Sequence, residues 1–111
     1  MAEETQPEGA GLPTEEELRE ALDRVSVSDV LLNALSATAS LGFRRVSAEA
    51  RDLPQARLAI EALRALEPVL TESGVDEALV RDLEQARLNL QLAYAKAVGE
   101  DSAQGAEQTA R

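Results

Sequence analysis

Residues Val27–Phe43 read VSDVLLNALSATASLGF, and this stretch decides the fold. Apolar side chains cover most of its circumference when it is wound as an α-helix. Four of its polar residues fall on one narrow stripe, namely Asp29, Asn33, Ser36 and Ser40. A helix that is apolar on most sides must be buried by several neighbours. We therefore expect a central helix that packs against other helices of this chain, against a second copy, or against both.

A short helix is predicted ahead of the central one, over about 15–25. Thr14–Glu17 reads TEEE, the pattern of a capping box in which the hydroxyl and the third carboxylate each bind a backbone amide. Leu18, Leu22 and Val25 then line one face. A helix of about three turns is marginal in isolation, so we expect packing to hold it in place.

The central helix is predicted over about 28–42. Ser26 or Ser28 can cap its first amides, and Gly42 can end it as a residue that tolerates a left-handed backbone. The next ten residues, FRRVSAEARD, then form the longest connection of the domain.

A third helix is predicted over about 53–72, with Asp52 as its N-cap. Its apolar residues recur at spacings of three and four, as expected for one buried face. Pro68 interrupts this run, and it removes an amide that would bond to Arg64. We therefore expect a kink or a short break near Glu67, with Leu70 still packed.

The fourth helix is predicted over about 77–98. Asp76 provides the N-cap, and Gly99 is expected to end the helix. Leu83, Ala86 and Leu90 belong to an apolar seam that suits an antiparallel neighbour.

These elements predict an all-α protein, a small antiparallel bundle of three main helices with a short N-terminal helix. The chain has 111 residues, enough for one domain. We expect a single helical domain over 14–99. Residues 1–13 and 100–111 have almost no large apolar side chains, and we expect both to be disordered tails, the first of them acidic.

Composition argues against catalysis, because the chain has no His and no Cys. Carboxylates are the main remaining candidates, and the pairs Glu61/Glu67 and Asp82/Glu84 fall on the polar sides of predicted helices near arginines. A solvated charged face explains them better than an acid/base site. We predict no enzyme, no catalytic or metal-binding residue, no cofactor and no small-molecule substrate.

Charge and hydropathy indicate an acidic protein of the cytoplasm. The formal net charge is −10, which disfavours binding to nucleic acid. No apolar run approaches the ~20 residues needed to span a bilayer, and the acidic N-terminus does not resemble a signal peptide. We expect no membrane association.

A protein-binding surface is the functional prediction. Leu58, Leu88 and Leu92 lie away from the apolar seams of their helices, so the chain has more apolar faces than its helices can bury together. We expect a homodimer or a complex with another protein, in which these leucines contribute. Arg44 and Arg45 form a local positive charge beside Phe43 and could contact acidic residues or RNA phosphates.

Three segments stand in an order and spacing that resemble the bacterial family catalogued as domain of unknown function 1844, over about Val27 to Val98. They are VLLNALSATASLG at 30–42, DLPQARLAIEALRALE at 52–67 and LVRDLEQARLNLQLAYAKA at 79–97. The sequence LQLAY at 90–94 is particularly similar to the actinobacterial branch.

The resemblance implies a helical fold and brings no assigned activity, ligand or catalytic residue. Some actinobacterial members are encoded beside a translation initiation factor and large-subunit ribosomal proteins. This association implies an alternative function, a translation- or ribosome-associated accessory factor that contacts RNA or protein through the Arg44/Arg45 loop.

Overall fold

The computed structural model describes the backbone of residues 11–110 and the side chains of residues 11–105. Within this range the chain forms helices and no strand, which confirms the predicted all-α class. The helices are α1 (Glu15–Asp23), α2 (Val27–Val46), α3 (Leu53–Glu72) and α4 (Glu77–Ala110). A 3-10 turn, Ala48–Ala50, lies between α2 and α3.

Side-chain caps begin the helices where the sequence predicts them. The Glu17 amide donates to the Thr14 hydroxyl at 3.0 Å, and the Thr14 amide donates to the Glu17 carboxylate at 3.1 Å, which completes the capping box. Ser26 accepts from the Asp29 amide at 3.1 Å and caps α2. Asp52 and Asp76 cap α3 and α4 in the same way.

The sequence predicted that Gly42 ends α2, but the helix continues to Val46. A Cβ at this position would lie 2.7 Å from Cδ2 of Leu90 and 2.9 Å from Cβ of Ala59. Glycine is therefore needed here because it lets the backbone of α2 pack closely against both α3 and α4. The predicted ten-residue connection is correspondingly shorter, since its first four residues are helical.

Pro68 does not break α3, which runs without interruption from Leu53 to Glu72. The predicted short break near Glu67 is therefore wrong, whereas the expectation that Leu70 stays packed is confirmed, since this side chain is fully buried. The helix ends at Glu72, and Gly74, two residues later, has a positive φ of 88° that takes the chain into the turn before α4.

Gly99 does not end α4, and the predicted boundary at residue 98 is wrong. The helix continues to Ala110, through most of the segment for which a disordered tail was predicted. Gly99 has no positive φ, so it is accommodated as an ordinary helical residue. Arg51 holds the next turn by donating to the carbonyl of Ala97 at 3.2 Å and by pairing with Glu100 and Asp101.

The core lies where α2, α3 and α4 pack against one another. Its largest fully buried side chains are leucines on α3 and α4. The buried apolar residues are Leu35, Ala39, Val46, Ala56, Ala59, Ile60, Leu63, Leu70, Leu83, Leu90 and Ala97. The predicted seam of α4 is thus part of the core.

Helix α1 packs on none of the other helices that the structure describes. Its apolar residues Leu18 and Leu22 are 49% and 62% exposed, Val25 in the following connection is 52% exposed, and no residue of α1 is buried. Packing against the other described helices of the same chain therefore does not hold α1, and the expectation that packing holds it stays a prediction. A three-residue connection joins it to α2, and the two helices are bent by 84° relative to each other.

The fold exposes more surface than a compact chain of its size. Its accessible surface is 8025 Å², against about 6,000 Å² for a compact monomer of 11.9 kDa. Its radius of gyration is 20.6 Å, against about 13 Å for a compact domain of this length. The helices therefore leave a large part of their surface without a partner in the chain.

Candidate interaction surface

An apolar groove separates α2 from α3 beside the close approach at Gly42. It encloses about 290 Å³. Gly42 and Ala59 are buried at its base, while Leu41 and Leu58 stand exposed beside it. The full lining consists of Thr38, Leu41, Gly42, Arg45, Gln55, Leu58, Ala59 and Ala62. Small residues at the base leave room for side chains of a partner to enter.

The apolar surface continues from this groove along both helices. We call it the α2/α3 face and define it by Val27, Val30, Ala34, Thr38, Leu41, Leu58, Ala62 and Val69. The members on each helix recur at spacings that place them on one side. Several are half-exposed or more, and α2 has no charged residue from Val30 to Phe43. A surface of this extent without charges is typical of a protein-binding site.

Leu88 and Leu92 lie on a different surface, although the sequence grouped them with Leu58. Leu92 is nine residues after the buried Leu83, half a rotation around α4, so it points away from the core. Leu92 is 72% exposed and Leu88 is 44% exposed. Leu58, at 56%, is on the α2/α3 face. The structure therefore separates the predicted leucines into two sites.

The arginines predicted to share a loop do not form one patch. Arg44 and Arg45 belong to the last turn of α2, where they are separated by about 100° of rotation. Arg44 pairs with Glu49 at 3.5 Å across an exposed surface. Arg45 lines the groove beside Leu41 and makes no ion pair with any side chain in the described range 11–105. Arg51 is largely buried and bonded to α4, so it is withdrawn from the surface.

The polar stripe of α2 faces a second groove, between α2 and α4. Asn33, Ser36 and Ser40 line it, together with the ring of Phe43 and the α4 side chain of Asp82. The groove therefore mixes apolar with hydrogen-bonding groups. It accounts for the narrow polar stripe in the sequence, which faces neither the core nor the α2/α3 face.

Charged residues define the contact between α3 and α4. Glu67 is 7% exposed, so the expectation that it belongs to a solvated face is wrong. Its two carboxylate oxygens accept from Nε of Arg87 at 3.0 and 3.1 Å. Gln91 accepts from Nη1 of Arg87 at 2.6 Å. The signal in the sequence was the spacing of Leu63, Glu67 and Leu70, which places Glu67 on the buried face.

The remaining carboxylates considered for chemistry do not converge. Glu61 pairs with Arg57 of its own helix at 3.0 Å, and Asp82 and Glu84 are exposed on α4. Within the described part of the chain, no three Asp or Glu side chains form a group suited to a metal ion.

None of the described helices is by itself long and apolar enough to cross a bilayer. Only α1 and α2 taken together, across their 84° bend, reach the required length and composition.

Comparison of the chain with protein-family models, with curated proteins and with solved structures found no match.

Proposed function

We propose that the chain is a non-enzymatic, cytoplasmic helical module that self-associates through its α2/α3 face. One observation carries the proposal: an apolar surface extends over two adjacent helices and contains a groove whose base is made of Gly42 and Ala59 and whose one charged lining residue is Arg45. Leu41 and Leu58 are exposed beside that groove. Water contact with such a surface is unfavourable, and a second apolar surface would remove it.

The amount of exposed surface supports the same proposal. The chain exposes about 2,000 Å² more than a compact monomer of its mass. A stable protein–protein interface of standard size buries about 800 Å² on each partner. An interface of that size is smaller than the excess, to which the unpacked α1 and the end of α4 also contribute.

Leu88 and Leu92 offer a second, smaller contact in this proposal. They lie one turn apart on the outer side of α4, with Arg81, Glu84 and Lys96 nearby in the sequence. A narrow apolar stripe with charges at its sides suits a weaker interaction with another protein.

The alternative function in translation receives no support from the arginine geometry. Arg51 is bonded to α4 and Arg44 is paired with Glu49, which leaves Arg45 alone at the groove. A single arginine on a chain of net charge −10 is a poor basis for phosphate contacts. Membership of the domain of unknown function 1844 family is likewise a proposal, and it rests on the order and spacing of three helical motifs.

Two exposed leucines provide a matched test. Leu58→Glu places a charge on the α2/α3 face, whereas Leu92→Glu places the same charge on α4. Neither side chain is buried, so both variants should fold. Multi-angle light scattering should show dimers for the unmodified chain and for Leu92→Glu, and monomers for Leu58→Glu. Dimers that persist in Leu58→Glu but dissociate in Leu92→Glu would refute the assignment of the α2/α3 face.

A further inference from the structure

We infer that the partner of the α2/α3 face is helix α1 of a second copy, so that two chains exchange their N-terminal helices. The inference rests on the proposed self-association and names the segment that carries it out. It follows from α1 being formed yet unpacked, from its reach along its own chain, and from its charge.

Helix α1 has the local signals of a real helix but no packing partner in its own chain. The Thr14/Glu17 capping box is complete, and three glutamates occupy the first turn, where the helix dipole favours them. Yet a helix of nine residues is not stable in water without tertiary contacts. Its apolar residues Leu18 and Leu22 are exposed, as is Val25 just after it, and no other helix in the described part of the chain covers them. The order of α1 therefore calls for an apolar surface supplied from outside the chain.

The chain's own groove is out of reach of its own α1. Leu41 lies 14 residues beyond Val27, about 21 Å along α2. Leu18 lies about 8 Å from the C-terminal end of α1. If α1 folded back along α2, Leu18 would therefore reach only about that far along α2, well short of Leu41. The three connecting residues 24–26 would be needed to reverse the chain direction, so they would add no reach along α2. Leu41 and Leu58 would then stay uncovered, whereas α1 of a second copy has no such tether.

Charge makes α1 and the groove complementary. Helix α1 contains five acidic residues against Arg19 as its single basic residue. The groove carries one charged side chain, Arg45, which has no ion-pair partner among the described residues. Glu15 lies one turn before Leu18 on the same side of α1, and it too pairs with no charged side chain that the structure describes. With the leucines in the groove, Glu15 can pair with Arg45 of the other copy.

Exchange between two copies makes both contacts at once. In a twofold dimer each chain gives α1 and receives α1, so the same interface occurs twice. The apolar side of α1 and the part of the α2/α3 face around the groove are then both covered. The outer side of α4 stays free, which agrees with its assignment to a separate surface.

Disulfide trapping tests the exchange directly, because the chain contains no cysteine. A chain with Leu22→Cys is mixed with a differently tagged chain carrying Leu58→Cys, under mild oxidation. The control mixes Leu22→Cys with Leu92→Cys, a leucine of at least equal exposure on α4. The 22–58 heterodimer should form and the 22–92 heterodimer should not. Equal yields in the two mixtures would overturn the inference.

A double variant separates exchange from folding back. Leu22→Cys and Leu58→Cys in one chain should give covalent dimers on oxidation, whereas covalent monomers would show that α1 lies on its own groove. Sedimentation of the unmodified chain separates the two proposals. A monomer would remove the proposed function itself, whereas a dimer that lacks the 22–58 bond would remove only the exchange of α1.

The charge pairing gives an independent readout. Glu15→Arg should weaken dimerisation about two- to thirty-fold at low salt, because each twofold dimer loses two exposed ion pairs. Adding Arg45→Glu should restore it, since the pair is then reversed. Failure of the second change to rescue the first would contradict the pairing.

Discussion

Glu67 and Arg87 form a nearly buried ion pair between α3 and α4, with Nε of Arg87 3.0 and 3.1 Å from the two carboxylate oxygens. Their side chains are 10% and 17% exposed. Arg87 also donates to Gln91 at 2.6 Å. These bonds can form in one register only, so the pair fixes how α3 and α4 align.

Removing one partner of this pair should destabilise the fold strongly. Glu67→Ala leaves Arg87 buried without its counter-charge, a change that costs about 3 kcal/mol or more in the free energy of unfolding. Urea unfolding followed by circular dichroism measures it. Glu61→Ala removes an exposed pair with Arg57 and should cost less than about 1 kcal/mol. Equal costs for the two variants would show that Glu67 is not buried.

Adding a methyl group at Gly42 should destabilise the protein although alanine is the better helix former. The new Cβ would meet Cβ of Ala59 at 2.9 Å and Cδ2 of Leu90 at 2.7 Å. Overpacking of this kind costs about 1–3 kcal/mol. Gly99→Ala is the control, since this helical glycine has nothing within 4 Å and should gain up to about 1 kcal/mol. Thermal melting that ranks the two variants the other way would contradict the close approach.

Two leucines two residues apart on α4 should differ widely when truncated. Leu90 is fully buried and Leu92 is 72% exposed. Leu90→Ala should cost about 2–5 kcal/mol in the free energy of unfolding, whereas Leu92→Ala should change it by less than about 0.5 kcal/mol. Chemical denaturation compares the two directly. Similar losses would show that the inner and outer sides of α4 are misassigned.

The extension of α4 beyond Gly99 should depend on Arg51. Its guanidinium contacts the carbonyl of Ala97 and the carboxylates of Glu100 and Asp101. In Arg51→Ala, hydrogen exchange over 98–105 should accelerate, and the free energy of unfolding should fall by about 1 kcal/mol.

The control is Arg44→Ala, which removes only an exposed pair with Glu49. It should leave exchange over 98–105 unchanged. Unchanged exchange in Arg51→Ala would show that the turn after Gly99 is held without this arginine.

Local chemistry made much of the fold predictable. Caps such as Thr14, Ser26 and Asp52 act on amides within three residues, so the sequence contains the whole interaction. Apolar spacing on α3 and α4 identified Leu63 and Leu90 as inward-facing, because one buried face imposes that period.

Features that depend on distant partners were not predictable. Gly42 could end a helix or permit close approach, and only the positions of Ala59 and Leu90 decide between them. Arg51 and the turn after Gly99 are 46 or more residues apart, so neither segment reveals the contact. The charge of Glu67 predicts an exposed position, whereas its spacing from Leu63 and Leu70 predicts the buried one that it occupies. Leu58 and Leu92 both lie opposite the apolar seams of their helices in the sequence, and only the packing of the helices shows that they belong to different surfaces.

Sedimentation equilibrium of the unmodified chain, from low micromolar to high micromolar concentration, tests the central claim most directly. Self-association through the α2/α3 face predicts a mass that rises with concentration towards twice 11.9 kDa. A folded, cooperatively melting chain that keeps a mass of 11.9 kDa at every concentration would contradict it.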